Sequence, residues 1–145
     1  DNARRKHGAL MHEVLSRIRT RKDIPQSVER YHQEGVIDKE EAIALVARLE
    51  ELLNLPEAAS WYDGTARVLN EVDILFGKGL SKRPDRVMIT GNRVVVVDYK
   101  FGEHADQRYH SQVRNYLKLI RQMGYDGVEG FLWYVELNKI EAVKG

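Results

Sequence analysis

Two acids and a lysine in the middle of the chain have the types and the spacing that metal-assisted phosphate chemistry requires. Asp85 precedes a β-branched run at residues 86–90, Asp98 follows a second run at 93–97, and Lys100 comes two residues later. Carboxylate oxygens are the ligands that Mg²⁺ and Mn²⁺ prefer. A neighbouring lysine can orient a water molecule or stabilise charge that develops on a phosphate.

A β-hairpin is predicted to bring these side chains together. Gly91-Asn92 separates the two runs and suits the positive φ angles of a two-residue turn. That loop gives three pairs on one face of the hairpin: Ile89 with Val94, Val87 with Val96, and Asp85 with Asp98. Cβ atoms in such pairs lie roughly 4.5–5.5 Å apart, where two carboxylates repel each other unless a proton or a cation lies between them. Lys100 projects from the same face.

A second interpretation of these residues needs no metal. In it the two acids merely end their strands, and Arg86 and Lys100 neutralise them. Against it, residues 94–97 are apolar enough to be buried on both sides. An acid at the end of such a strand is rare without a paired partner. We therefore favour a divalent cation between Asp85 and Asp98.

Four short motifs, in this order, resemble those of the PD-(D/E)XK nuclease superfamily. They are Gly8-Ala-Leu-Met-His12, Pro84-Asp85, Asp98-Tyr99-Lys100 and Gln112-Val-Arg-Asn-Tyr116. The first and the last are typical of one branch, the RecB-like nuclease domain at the C-terminus of helicase-nucleases of the RecBCD and AddAB type. Phe101 stands where that branch commonly has a threonine.

The resemblance implies a set of site residues. Mg²⁺ or Mn²⁺ would be held by His12, Asp85, Asp98 and the backbone carbonyl of Tyr99. Lys100 would position the attacking water, and Gln112 and Tyr116 would orient Lys100 or the DNA. Glu71 matches a glutamate that is common before the aspartate in this branch. From the residues alone, a packed or solvated His12, a core aromatic Tyr116 and a surface salt bridge for Glu71 remain open.

The function implied by the resemblance is a Mg²⁺- or Mn²⁺-dependent deoxyribonuclease of the exodeoxyribonuclease type. It would hydrolyse single-stranded DNA in DNA end processing and recombinational repair. The strand would be fed by a helicase domain in the same parent chain or complex. Because the chain begins with Asp1, we interpret it as a domain excised from such a protein. The alternatives are an inactive nuclease-fold module that binds DNA or a protein partner, and a sequence-specific endonuclease.

Composition limits these interpretations. A chain of 145 residues with 43% apolar content supports a single domain over 1–145. The formal charge of +1 makes any DNA-binding surface local: residues 1–30 carry eight Lys and Arg against four acids, and 36–60 carry two against six. No cysteine is present for a disulfide, a thiolate zinc site or an iron–sulfur cluster. No apolar stretch reaches the ~20 residues that span a bilayer, which favours a cytoplasmic protein without membrane contact.

Periodicity predicts the elements that position the site. A first helix spans about 8–18, and a helical insert follows at about 23–60, in which the capping box Asp38-Lys-Glu-Glu41 opens a helix. We expect its buried side to contain Ile43, Val46, Leu49, Leu52 and Leu53. A strand at 67–76 with a turn at 77–79, the hairpin, a helix at about 105–123 and a parallel strand at 128–137 complete the prediction. The last eight residues indicate no element. This order predicts an α/β fold of restriction-endonuclease type, with a mixed central sheet and a β-hairpin flanked by helices.

Overall fold

The computed structural model describes residues 2–70, 83–102 and 105–145, and in them a five-stranded mixed sheet is flanked by helices. The helices are α1 (Asn2–Arg17), α2 (Ile24–Gln33), α3 (Lys39–Leu53) and α4 (Gln107–Gln122). The strands are β1 (Arg67–Asn70), β2 (Arg86–Thr90), β3 (Arg93–Lys100), β4 (Gly127–Tyr134) and β5 (Lys139–Val143). Short 3-10 turns occupy Arg21–Asp23, Ala59–Tyr62 and Val135–Leu137. The predicted α/β architecture is confirmed.

The hairpin of β2 and β3 has the predicted register. Ile89 pairs with Val94 and Val87 with Val96. Gly91 begins the turn with a φ of 58°, a left-handed conformation that glycine adopts without steric cost. The last pair of the β2–β3 ladder is Arg86 with Val97. Asp85 and Asp98 therefore form the next pair, just beyond the open end of the ladder.

Strand order in the sheet is β1-β2-β3-β4-β5. β1 runs antiparallel to β2. After the α4 crossover, β4 runs parallel to β3, and this parallel pairing was predicted. β5 pairs antiparallel with β4, an element that the sequence did not indicate. This short edge strand mixes polar and apolar residues, and its place is decided by pairing with β4.

Both faces of the sheet are covered, which accounts for the uninterrupted apolar run in β3. On one face Val97 and Tyr99 pack in a core with α1, α2 and α3. On the other face Val94 and Val96 pack in a core with α4. Gly130 in β4 allows α4 its close approach, because a Cβ there would lie 2.7 Å from the side chain of Val113.

Two details of the helical predictions change. α1 begins at Asn2, earlier than predicted. In α3 the capping box is confirmed, with the Glu41 amide donating to Asp38 Oδ1 at 2.8 Å. The prediction that Ile43 is buried is wrong, since its side chain is 62% exposed and Ala42 and Leu45 are buried instead. α2 packs against the side of α3 that carries Ala42 and Leu45, so these residues are buried and Ile43 is left in solvent.

The strand predicted at 67–76 is confirmed over Arg67–Asn70, which is β1. Glu71 and the turn predicted at 77–79 lie outside the described residues. In the parts of the chain that the structure describes, no helix has the length and the apolar character needed to cross a membrane.

Arg86, the first residue of β2, is fully buried and connects the hairpin to the end of α1. Its guanidinium donates hydrogen bonds of 2.7 Å to the carbonyl oxygens of Ile18 and Arg19, and a third hydrogen bond to that of Trp61. Cations near a helix C-terminus are favourable, because carbonyl groups there lack helical partners. The guanidinium carbon also lies 3.9 Å from the centre of the Tyr62 ring. Arg86 therefore fixes where α1 ends relative to β2.

The interpretation in which Arg86 neutralises the two acids is wrong. Successive side chains of a strand point to opposite faces, so the side chain of Arg86 points away from that of Asp85. The three carbonyl groups that its guanidinium binds lie on the face covered by α1. A buried arginine so close to an acidic pair is thus a structural anchor.

Replacing Arg86 with Met should lower the free energy of unfolding by about 3 kcal/mol or more, because buried carbonyl groups lose a charged donor. Urea denaturation is the measurement. Arg93→Met is the matched control in the same hairpin, since that arginine is 68% exposed, pairs with Glu129 and should cost less than about 1 kcal/mol. Equal losses in the two variants would contradict the anchoring role.

Candidate functional site

Asp85 and Asp98 lie opposite each other at the open end of the hairpin, and backbone amides hold them there. The amide of Asp85 donates to Asp98 Oδ1 at 2.9 Å. The amide of Tyr99 donates to Asp85 Oδ2 at 2.8 Å. Each carboxylate is thus bound to the backbone of the other strand, and the predicted juxtaposition of the two acids is observed.

The pair is electrostatically strained, and Asp98 shows it most. Its side chain is only 3% exposed. Burial, and next the negative charge of Asp85, raise the pKa of Asp98 to about 7, although the Asp85 amide, Lys100 and His12 act in the opposite direction. Near neutral pH this carboxyl therefore holds a proton for much of the time. A divalent cation could take the place of that proton.

His12 reaches the pair from α1. Its Nε2 lies 2.7 Å from Asp85 Oδ1, and its ring contacts Tyr99 and Phe101 edge-on, with centroids 6.4 and 6.1 Å away. Gly8, one turn earlier, allows this approach, because a Cβ there would lie 3.1 Å from Phe101 Cβ. The spacing Gly-x-x-x-His thus has a local physical reason: a close helix–strand contact followed by an imidazole at the carboxylate. Phe101, the departure from the family pattern, forms the surface against which both residues pack.

Lys100 lies on the same strand face as Asp98, and its charge lowers the pKa of Asp98. Its Nζ lies 4.4 Å from the centre of the Tyr109 ring. The site residues predicted from the sequence did not include Tyr109, so this contact with the lysine was missed. Its spacing of three and seven residues from Gln112 and Tyr116, which puts all three on one helix face, was the available signal.

Gln112 and Tyr116 meet on α4 as predicted. Gln112 Nε2 donates to the Tyr116 hydroxyl at 3.1 Å. Burial, followed by the charge of Asp98, raises the pKa of Tyr116, so its hydroxyl keeps its proton and can donate it towards the acidic pair. The role of this pair in orienting Lys100 or DNA stays a prediction.

Tyr99 contributes to the site through its backbone. Its side chain is buried on the opposite face, where its hydroxyl lies 2.6 Å from that of Tyr62. Its amide binds Asp85, as described above, and its carbonyl is the predicted metal ligand. Glu71, the remaining predicted site residue, lies outside the described residues.

The chemistry of the donors fits a divalent cation, although they are hydrogen-bonded to one another. Two carboxylates and an imidazole lie within one hydrogen-bonded chain, and burial, followed by the charge of Asp85, raises the pKa of Asp98. Asp85 already binds His12 with one oxygen and the Tyr99 amide with the other. Within residues 2–70, 83–102 and 105–145, no three His, Asp or Glu side chains are arranged around one point. A bound cation would replace the contact between His12 and Asp85.

A cavity of about 320 Å³ lies beside His12, the residue that contacts Asp85. It is lined by His12, Lys100 and Phe101, and by Arg4 and Arg5 from the start of α1. The cations on its wall make it suitable for an anion placed next to the carboxylates.

Replacing Asp98 with Asn should stabilise the protein in EDTA at pH 8 and have little effect near pH 4. The asparagine side chain would keep the oxygen that accepts from the Asp85 amide and would remove the charge. Because the folded pKa of Asp98 is raised above the unfolded value, the wild-type protein loses stability as pH rises from about 4 to 7, and the penalty is constant above that range. Thermal unfolding at several pH values tests this.

Asp63→Asn is the control, because the pKa of the exposed Asp63 is shifted in the opposite direction: hydrogen bonds from Thr65 lower it. That variant should gain nothing at pH 8. A pH-independent effect of Asp98→Asn, or a loss of stability at pH 8, would show that Asp98 is not strained in the folded protein.

Comparison with known proteins identifies the family. No curated protein sequence matches the chain. The sequence model of the PD-(D/E)XK nuclease superfamily matches residues 1–145, which is the whole of the chain described above. With the mixed sheet, the acidic pair at the hairpin and Lys100 beside it, this match shows that the chain belongs to the PD-(D/E)XK nuclease superfamily.

Proposed function

We propose that this protein is a Mg²⁺- or Mn²⁺-dependent nuclease that hydrolyses phosphodiester bonds in single-stranded DNA. The observation that carries the proposal is the pair of acids at the end of the hairpin, held together by backbone amides despite their like charges, with Lys100 on the same face. Carboxyl groups with strongly shifted pKa values are concentrated at catalytic sites, which favours a catalytic pair. Membership of the superfamily supports a nuclease.

In this proposal His12, Asp85, Asp98 and the Tyr99 carbonyl hold the cation. When bound, the cation would lower the pKa of a water molecule and polarise the scissile phosphate. Lys100 would place its ammonium group beside the phosphate and stabilise the negative charge that grows in the transition state. The ring of Tyr109 beneath Lys100 limits the positions that its ammonium can take.

Two further residues would act around this centre. Tyr116, positioned by Gln112, keeps its proton and can donate a hydrogen bond to a phosphate oxygen. Phe101, which packs against Gly8 and His12, keeps α1 against the end of β3 and so keeps the imidazole within reach of the carboxylates.

The biological setting proposed is that of a RecB-like domain. The support is that His12, from the first motif, contacts Asp85, and that the charge of Asp98 acts on Tyr116, from the last motif. We propose that a helicase domain in the same parent chain or complex supplies single-stranded DNA in end processing and recombinational repair. A tethered partner raises the effective concentration of DNA to roughly millimolar, so the nuclease itself need not bind tightly.

Lys100→Ala should reduce the rate of Mn²⁺-dependent cleavage of a labelled single-stranded oligonucleotide by about a hundredfold or more. Its affinity for Mn²⁺, measured by calorimetry, should stay within a few-fold of wild type, because a cation does not ligate a metal. Lys118→Ala, an exposed lysine on α4, is the matched control and should retain wild-type cleavage. Full cleavage by the Lys100 variant would remove Lys100 from the mechanism, and a wild-type protein that binds Mn²⁺ without cutting would favour the inactive binding module.

His12→Ala should weaken Mn²⁺ binding, and raised Mn²⁺ should restore part of the cleavage rate, since Mn²⁺ accepts an imidazole ligand more readily than Mg²⁺ does. His32→Ala is the control, because that histidine lies on the exposed side of α2 and pairs with Glu29. Calorimetric titration and cleavage at several Mn²⁺ concentrations measure the effect. Unchanged Mn²⁺ affinity would show that His12 does not bind the metal.

A further inference from the structure

Two cavities lie along α1, one beside its first half and one at its C-terminal end. The smaller, described above, has a volume of about 320 Å³ and lies beside the first turns of the helix, with Arg5 and Lys100 in its wall. The larger, of about 1110 Å³, lies between the end of α1 and α2. Its wall is polar and includes Ser16, Arg19, Gln26 and Arg30.

One face of α1 connects the two cavities. Arg5, His12 and Ser16 are separated by seven and four residues, so they share a face of the helix. Arg19 follows where the helix ends and lines the second cavity. At 1.5 Å per residue, Arg5 and Arg19 are roughly 20 Å apart. If the strand keeps the rise of roughly 3.4 Å per nucleotide that a stacked strand has in a duplex, that length corresponds to roughly six nucleotides.

Arg5 and Arg19 differ from the other arginines that line these cavities. Arg4 pairs with Glu136, Arg17 with Glu13 and Arg30 with Glu34. Arg5 and Arg19 are exposed and make no ion pair with any residue that the structure describes. Each is therefore an exposed cation without an ion pair among the described residues, Arg5 in the first turn of α1 and Arg19 two residues beyond its end.

Neither acid that lines the larger cavity forms an ion pair with Arg19. Asp23 accepts hydrogen bonds from the backbone amides of Arg19 and Thr20, which fix its carboxylate at the start of the next helical turn. Glu29 lies 3.2 Å from His32. The guanidinium of Arg19 is left to face the solvent of the cavity.

From this arrangement we propose that the face of α1 between Arg5 and Arg19 is the track of a nucleic-acid single strand, with phosphates bound at the two arginines on opposite sides of the acidic pair. The location of the reacting bond between them rests on the proposed nuclease function. Arg5 and Arg19 lie along one line, which fits the single row of phosphates of one strand, whereas a duplex presents two rows. Because the contacts are to phosphates, binding along the track is independent of sequence.

Binding measured without cleavage tests the track. The probe is a fluorescent oligothymidylate of about ten nucleotides, in EDTA, with anisotropy recorded at several salt concentrations. The double variant Arg5→Glu/Arg19→Glu should bind at least about tenfold more weakly, and its salt slope should fall by roughly 1.4, since each phosphate contact in a single strand contributes about 0.7. Arg5→Gln/Arg19→Gln should shift both quantities in the same direction by a smaller amount.

The matched control is Lys39→Glu/Lys118→Glu, which makes the same change in charge at exposed positions on α3 and α4. It should keep the wild-type salt slope. Equal affinity and slope in the two charge-reversal variants would overturn the track, as would undetectable binding by the wild-type protein at low salt. Tighter binding to a blunt duplex of the same length would overturn its single-strand character.

Failure of the track and failure of the nuclease proposal give different results. If the arginine variants lose binding and the wild-type protein does not cut DNA with Mn²⁺, the track stands and the nuclease proposal is wrong. If the wild-type protein cuts and the arginine variants bind and cut like the control, the nuclease proposal stands and the track is wrong.

Discussion

Two carboxylates that repel each other are held side by side, and the rest of the structure depends on the backbone that holds them. The amide of Asp85 binds Asp98, and the amide of Tyr99 binds Asp85. These bonds exist only if β2 and β3 have one register, which the two-residue turn at Gly91 imposes. Burial then raises the pKa of Asp98 to about 7, so the ionised pair destabilises the folded protein. Packing elsewhere in the fold must offset this destabilisation.

That packing comes from both faces of the sheet. α4 covers one face and approaches β4 closely at Gly130. On the other face, Gly8 brings α1 against Phe101, and Arg86 binds the carbonyl groups at the end of the same helix. α1 is thus fixed near its middle at Gly8 and at its C-terminal end, and His12 lies between these two points. The imidazole and the carboxylates therefore belong to one rigid arrangement, although they are far apart in the sequence.

The parts of this arrangement that follow from local rules were predictable from the sequence. Alternation and turn chemistry paired Asp85 with Asp98, and the capping box located the start of α3 at Asp38. The approach of His12 was predicted only through its motif, because no local rule relates it to a strand that is 73 residues away in the chain. The burial of Arg86 could not be predicted, since its hydrogen-bond acceptors are carbonyl groups of two other segments and arginine is seldom buried. Ile43 and β5 were missed for the same reason: neighbouring elements, rather than their own patterns, decide their environment.

The reciprocal bonds between amides and carboxylates also bear on how this fold can evolve. The backbone uses one oxygen of each acid as an acceptor, and the side chains of Asn and Asp both provide such an oxygen at the same distance from the backbone. A single nucleotide change that converts either aspartate to asparagine would remove a negative charge and leave the hairpin closed. A substitution can therefore remove the charge that cleavage requires without disrupting the fold. A lineage that no longer needs cleavage can lose the catalytic charge and keep the folded domain as a binding surface.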